Sequence, residues 1–180
     1  IVCEQPHEFL LKEKPMPVRK EGEVLLKIKK IGVCGTDIHA YGGTQPYFEY
    51  PRILGHELAA EYIEGDVEGF KIGDKVTHAS MPIGAYSEQQ ILPQEKLVKV
   101  PNEISFEIAS AITLKGMTCE YLLHRAYSVK KSDTILFHAA AGGLGQIFCQ
   151  WARTIGCTII GTVGSEEKIK IAKENGVNHV

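Results

Sequence analysis

TILFHAAAGGLGQIFCQWARTIGCTIIGTV, residues 134–163, is the stretch whose reading decides the fold. Thr134 to Ala139 is a short apolar run of strand character. The glycine cluster that follows opens a helix whose apolar residues recur at helical spacing until Gly156 closes it. Cys157 to Val163 then reads as a second strand, and SEEKIKIAKENG as a second helix ending at Gly176. Strand, helix, strand, helix is the opening of a parallel α/β sheet, with Thr134–Ala139 and Cys157–Val163 expected side by side.

The glycines between strand and helix carry a second signal. HAAAGGLG aligns with the pattern GxGxxG as Ala140-x-Gly142-x-x-Gly145, alanine taking the first glycine position. Gly142 lets backbone approach a pyrophosphate that a side chain would exclude. Gly145 lets the helix pack closely on its strand, and the helix N-terminus offers free N–H groups to the anion. A glycine-rich loop alone means little, but one that follows a strand and opens a helix fits a dinucleotide site. An NAD site usually places Asp or Glu about 20 residues further on, for the ribose 2′-hydroxyl. Here the second strand ends in Thr162-Val163-Gly164-Ser165 with no acid, and Lys168 stands three residues on. Lys168 could face a 2′-phosphate, with Ser165 as a neutral donor, so NADPH is preferred to NADH. The plainer reading is a solvated lysine, and Glu166 and Glu167 would oppose a phosphate.

Upstream the texture differs. EVLLKIKKIGV, LAAEYIEG, DKVTHA, AYSEQQILP and KLVKVP are short β-like runs divided by Gly and Pro, the pattern of a compact β-barrel or sandwich. SFEIASAITLKGMTCEYLLHRAY, with Ser105 and Glu107 near its start, reads as a bridging helix. Composition is that of an ordinary globular domain, 44% hydrophobic and 23% charged over 180 residues. A net charge of −2 gives no electrostatic reason to expect nucleic acid or an anionic membrane as partner. No apolar run approaches the roughly 20 residues that span a bilayer. The N-terminus, IVCEQPHEFLLKEK, does not read as a signal peptide, and its lack of Met points to a trimmed start. Five cysteines without a CxxC pair argue against a disulfide framework and fit a reducing cytoplasm.

GVCGTDIHAYGG, Gly32 to Gly43, gathers a thiol, a hydroxyl, a carboxyl and an imidazole. This is either polarity around a surface turn or the lip of a metal-assisted site. LGHE, Leu54 to Glu57, could complete such a site. Catalytic zinc takes three protein ligands and leaves a fourth position open, and Cys34, His56 and Glu57 supply a thiolate, an imidazole and a carboxylate. Asp37 could orient His56. Thr36 and His39 could then carry a proton from a metal-bound alcohol to solvent. Taken singly, each of these residues is better read as packing, a turn or surface polarity.

Together the motifs resemble the medium-chain dehydrogenase/reductase superfamily. GVCGTDIHAYGG with YPRILGHE, within residues 1–68, is similar to zinc-dependent alcohol and polyol dehydrogenases. That resemblance implies zinc at Cys34 and His56, joined by Glu57, and a proton relay through Thr36 and His39. GFKIGDKV, GAYSEQQIL, LKGMT, FHAAAGGLGQIFCQWARTIG and GTVGSEEK, within residues 69–180, resemble zinc-free NADPH:quinone oxidoreductases related to zeta-crystallin. This second resemblance implies a pyrophosphate at Ala141, Gly142, Gly143, Leu144 and Gly145. It also implies Thr118 near the nicotinamide and Lys168 at the 2′-phosphate. The expected fold is α/β: a GroES-like β-barrel catalytic domain over residues 1–107, then a partial Rossmann domain, a doubly wound parallel sheet, over 108–180.

The two resemblances conflict over metal. The zinc branch takes a further ligand at the position aligned with Leu114, which cannot bind metal, and the usual four-cysteine lobe is absent. A mosaic with its seam near Gly65 to Gly69 reconciles them, and zinc is then expected to be weak or absent. The main expectation is hydride transfer between NADPH and a quinone or conjugated carbonyl compound, a small-molecule substrate. A zinc-dependent alcohol or polyol dehydrogenase and an inactive truncated or chimeric fragment are the alternatives. Truncation is expected because the family runs to roughly 330–350 residues by resemblance, and the full-length family implies a homodimer. Tyr41, Gln45, Tyr47 and Phe48 are candidates for a pocket mouth or for packing, Trp151 for core, and Cys149 and Cys157 for inert buried thiols.

Overall fold

The structure, a computed structural model, describes residues 1–45 and 48–180. It divides into two compact units, Ile1–Leu114 and Lys115–Val180.

The first unit opens on a hairpin of β1 (Val2–Gln5) and β2 (Glu8–Leu10), turned at Pro6-His7. Its main sheet is built from β3 (Glu23–Ile31), β4 (Glu57–Glu64), β5 (Lys75–Ala79), β6 (Gln89–Pro93) and β7 (Val98–Lys99). All neighbours are antiparallel, in the order β6-β3-β4-β5-β7. Val24 and Leu26 on β3, Leu58, Ala60 and Tyr62 on β4, Val76 on β5 and Leu92 on β6 form the buried core of the sheet. These residues alternate along β3 and β4, as one face of a period-2 strand must, while Ala59 on the opposite face of β4 buries against Val100 and Ala109. The expected closed barrel is not seen among the described residues. The outermost strands, β6 and β7, each pair with one neighbour, and β7 is only two residues long, too short to carry the sheet round onto itself.

Helix α1 (Gly35–Tyr41) follows β3 and lies in the stretch that could be read as a turn. Helix α2 (Phe106–Glu120) is entered through Ser105, whose hydroxyl accepts the Ile108 N–H at 3.2 Å. A π-helical turn, Tyr121–Ala126, extends it. In the second unit β8 (Thr134–Phe137) leads into α3 (Gly143–Ile155), β9 (Thr158–Gly161) and α4 (Glu167–Glu174). β8 and β9 are adjacent and parallel, with Leu136 opposite Ile160, as expected. Gly156 ends α3 in the left-handed region at φ 90°, where its N–H bonds back to Ala152 and Arg153. Phe148, Cys149 and Ala152 of α3 bury against Ile159 of β9 and Cys119 and Leu123 upstream. Trp151 packs on this core, and burial pushes the Cys149 thiol up to about 11 and raises that of Cys157.

His78 of β5 is only 3% exposed, and its Nε2 has no hydrogen-bond partner among the described residues. Burial therefore holds its imidazole below the ordinary 6.5. Above 6.5 the group is neutral folded and unfolded, so it contributes no pH dependence. Below 6.5 the unfolded chain takes up the proton first, and stability falls until the lower folded value is reached. His78→Gln should therefore flatten the loss of melting temperature between about pH 7 and pH 5. Parallel profiles for the two proteins would assign the acid sensitivity elsewhere.

Candidate functional site

The polar stretch after β3 is organised by the start of α1. Asp37 is 6% exposed, and its carboxylate accepts the Cys34 N–H at 3.0 Å and the Gly55 N–H at 3.1 Å. Its Oδ1 also lies 3.5 Å from His56 Nδ1. One buried carboxylate thus ties the Cys34 turn to the Gly55-His56 turn and orients the imidazole. The ligand atoms of Cys34, His56 and Glu57 all lie within 4.8 Å of one another.

The electrostatics match that geometry. Burial disfavours the Cys34 thiolate, but hydrogen bonds with Thr36 and His56 outweigh it and hold the thiol below its ordinary value. Burial likewise disfavours the Asp37 carboxylate and is overcome, chiefly by the hydrogen bond from His56. The bond to Asp37, opposed by burial and helped by Cys34, pushes the His56 imidazole up to about 9. A metal ion here would displace the proton that the raised His56 imidazole holds. A thiolate, an imidazole and a carboxylate held this close, with the imidazole oriented from behind, fit zinc in kind and number for an open site.

Thr36 sits beside the thiol, with Cys34 Sγ donating to its Oγ1 at 3.7 Å. His39 lies one turn along α1, exposed, its Nδ1 3.3 Å from the Thr44 hydroxyl. Tyr41 and Phe48 pack against Cys3, Ala40 and Leu54. Gln45 is half-buried, and Tyr47 lies outside the described residues. Leu114 is half-buried on α2 and brings no metal-binding atom. The residue that sequence reading passed over is Gly32, quoted only as the first of its stretch. It lies directly against Glu57.

In the second unit the glycine loop has the form the motif requires. Gly142 caps α3 in an extended conformation, φ −76° and ψ 171°, and its carbonyl accepts the first helical bond, from the Gln146 N–H at 2.9 Å. The N–H groups of Gly143, Leu144 and Gly145 precede that bond and have no partner within the helix. A Cβ on Gly145 would lie 2.6 Å from the carbonyl oxygens of both Ala139 and Ala140, so helix and loop touch through backbone there. Ala139 itself is held at φ 54°, and the Gln146 side chain ties the Ala141 carbonyl at 3.0 Å. Thr118 is half-buried on α2. Beyond β9, residues Gly161 to Glu166 with Ile169 and Val180 line an open depression of about 430 Å³. Ser165 is part of that lining, and exposed Lys168 lies in the first turn of α4, its N–H bonded to the Ser165 carbonyl at 3.2 Å. A larger groove of about 710 Å³ in the first unit is lined by Arg19, Glu23, Glu64 and Asp66 among others, with Arg19 paired to Glu64 and Asp66.

Two family models match the chain. The alcohol dehydrogenase GroES-like domain covers residues 20–102, and the zinc-binding dehydrogenase domain covers residues 143–180. The chain belongs to the medium-chain dehydrogenase/reductase superfamily. Within it, the chain is 45% identical over 156 residues to a quinone oxidoreductase of Pseudomonas aeruginosa, covering 86% of this chain and 48% of that one. It is 40% identical over 181 residues to a 2-haloacrylate reductase of Burkholderia sp, covering 97% and 54%. The solved Escherichia coli quinone oxidoreductase complexed with NADPH superposes with a TM-score of 0.90 at 37% identity, over 98% of this chain and 55% of that one. The chain spans about half the length of the curated relatives it matches. No helix among the described residues is long and apolar enough to cross a membrane.

Proposed function

We propose that the protein is an NADPH-dependent reductase of quinones and other conjugated carbonyl compounds. The observation that carries this reading is the glycine loop: Gly142 caps α3 in an extended conformation, ahead of N–H groups that have no partner within the helix, and the next strand ends with no acid. The likeness to the quinone oxidoreductases and the 2-haloacrylate reductase supports the substrate class. NADPH, when bound, supplies the hydride that reduces the conjugated system. The chain's own part is to hold the dinucleotide. The N–H groups of Gly143, Leu144 and Gly145 face the pyrophosphate, Ala141 and Gly142 give it room, and Thr118 lies toward the nicotinamide. Ser165 and Lys168 meet the 2′-phosphate. A small-molecule substrate, a cytoplasmic setting and a homodimer of the full-length protein complete the proposal, the setting supported by five free cysteines.

Lys168 provides the test. Lys168→Ala should weaken NADPH binding by about 1–2 kcal/mol, roughly tenfold, the scale of one charge-assisted contact. NADH binding should be nearly unchanged, since NADH has no 2′-phosphate. Equal losses for the two nucleotides in a fluorescence titration would reduce Lys168 to a surface lysine and remove the argument for NADPH.

A second reading, zinc-dependent alcohol or polyol oxidation, is favoured by one observation, the convergence of Cys34, His56 and Glu57. Those three residues would hold the ion, which supplies Lewis acidity toward an alcohol oxygen. Thr36 and His39 would pass the alcohol proton to solvent. Leu114 stands where the zinc branch has a ligand, so retention of the ion is expected to be weak.

A further inference from the structure

Gly32 lies just past β3, where its N–H donates to the Glu57 carbonyl at 3.0 Å. It is not among the glycines with positive φ, so its backbone conformation is open to other residues. What requires a glycine is space. A Cβ at this position would lie 2.7 Å from Glu57 Oε2, 2.9 Å from Glu57 Cβ and 2.8 Å from the carbonyl oxygen of Ser110 on α2. None of these neighbours yields easily. Glu57 is 0% exposed, so its carboxylate has no solvent to swing into, and the Ser110 carbonyl belongs to a helix backbone.

We propose that Gly32 is a positioning residue for metal binding: its missing side chain lets the end of β3 lie against Glu57 and keeps that carboxylate within reach of Cys34 and His56. The proposal rests on the reading of Cys34, His56 and Glu57 as a metal cluster. Cys34 and His56 are held from another direction, through Asp37, so Gly32 acts on the third donor. Any side chain at residue 32 displaces the Glu57 carboxylate and leaves a two-ligand site. Because the donor is moved rather than removed, the loss is read on metal affinity, and thermal melts record any cost to the sheet separately.

Cobalt(II) titration of the purified chain tests this, read by the visible absorption of thiolate-bound cobalt, with thermal melts of every variant. Gly32→Ala should weaken cobalt binding by about 10–100-fold, the range for loss of a residue that orients a ligand. Glu57→Ala should weaken it at least as much. In the Glu57→Ala background Gly32→Ala should cost cobalt affinity nothing further, because the carboxylate it displaces is gone. Equal affinity of Gly32→Ala and the parent, or the same loss with and without Glu57, would overturn the proposal. If Gly32→Ala alone fails to fold, folding of the double variant places the collision on Glu57 and supports it. Failure of both places the collision on the Ser110 carbonyl or the residue-57 Cβ, which Glu57→Ala retains, rather than on the carboxylate, and overturns it. A parent chain that binds no cobalt would overturn the cluster reading and the proposal together, whereas a parent that binds while Gly32→Ala binds equally sinks the proposal alone.

Discussion

Gly142→Val is expected to lower dinucleotide affinity by about 100-fold or more while the Lys115–Val180 unit stays folded. The affinity loss follows from the site. A valine side chain at the α3 cap stands where the pyrophosphate must approach, and pushing it away breaks at least two charge-assisted hydrogen bonds to the helix N-terminus. At about 1.5 kcal/mol each, these are worth roughly two decades in affinity. Survival of the fold follows from the local backbone. Gly142 sits at φ −76° and ψ 171°, which a β-branched residue adopts without strain. The nearest atom to its added Cβ is the Ala139 carbonyl oxygen at 3.1 Å, tight by only a few tenths of an ångström. Nucleotide titration alongside a thermal melt separates the two effects. Unchanged affinity in a folded variant would show that the loop is only a strand-to-helix turn.

Gly145→Val, three residues on, should do the reverse and destabilise the unit itself. Its Cβ would lie 2.6 Å from two backbone oxygens and 2.7 Å from the Ala140 carbonyl carbon. Backbone cannot rotate out of the way as a side-chain tip can, so α3 must move off the loop that joins it to β8. That movement opens the core of Phe148, Cys149 and Ile159. Overpacking of this kind typically costs 1–3 kcal/mol, and a collision with backbone belongs at about 3 kcal/mol. The chain's one tryptophan, Trp151, packs on this core and reports the transition by fluorescence. A urea midpoint equal to that of the parent would mean that helix and loop are not in contact at Gly145. The two substitutions differ because the two glycines serve different neighbours, a ligand for Gly142 and the chain's own backbone for Gly145.

The α/β unit was legible because its signals are local. An apolar run, a glycine cluster, a helical period and a closing Gly156 lie within 30 consecutive residues, and each constrains its own φ, ψ or face. The five runs of the first unit were legible as strands for the same reason. Helix α1 was not. Its seven residues, GTDIHAY, are too few for a helical period and begin with a glycine, so the stretch could be read as a turn. Barrel closure was also out of reach, because it depends on how far the edge strands β6 and β7 extend and which partners they meet.

The same division runs through the candidate sites. Residue type and spacing along the chain determined the glycine loop, the absence of an acid at the end of the second strand, and the candidate donors Cys34, His56 and Glu57. Those choices rest on what each side chain can bond, a property it carries into any fold. Only the tertiary structure decided that the three donors lie within 4.8 Å, and that Asp37 orients His56 from a neighbouring turn. It alone showed that Gly32 is empty of side chain because Glu57 and Ser110 fill the space. Gly32 and Glu57 are 25 residues apart and Gly32 and Ser110 are 78 apart, separations over which the chain leaves no periodic trace. Such proximity arises from strand pairing and helix packing, and close-packed interiors turn it into a steric requirement on one residue.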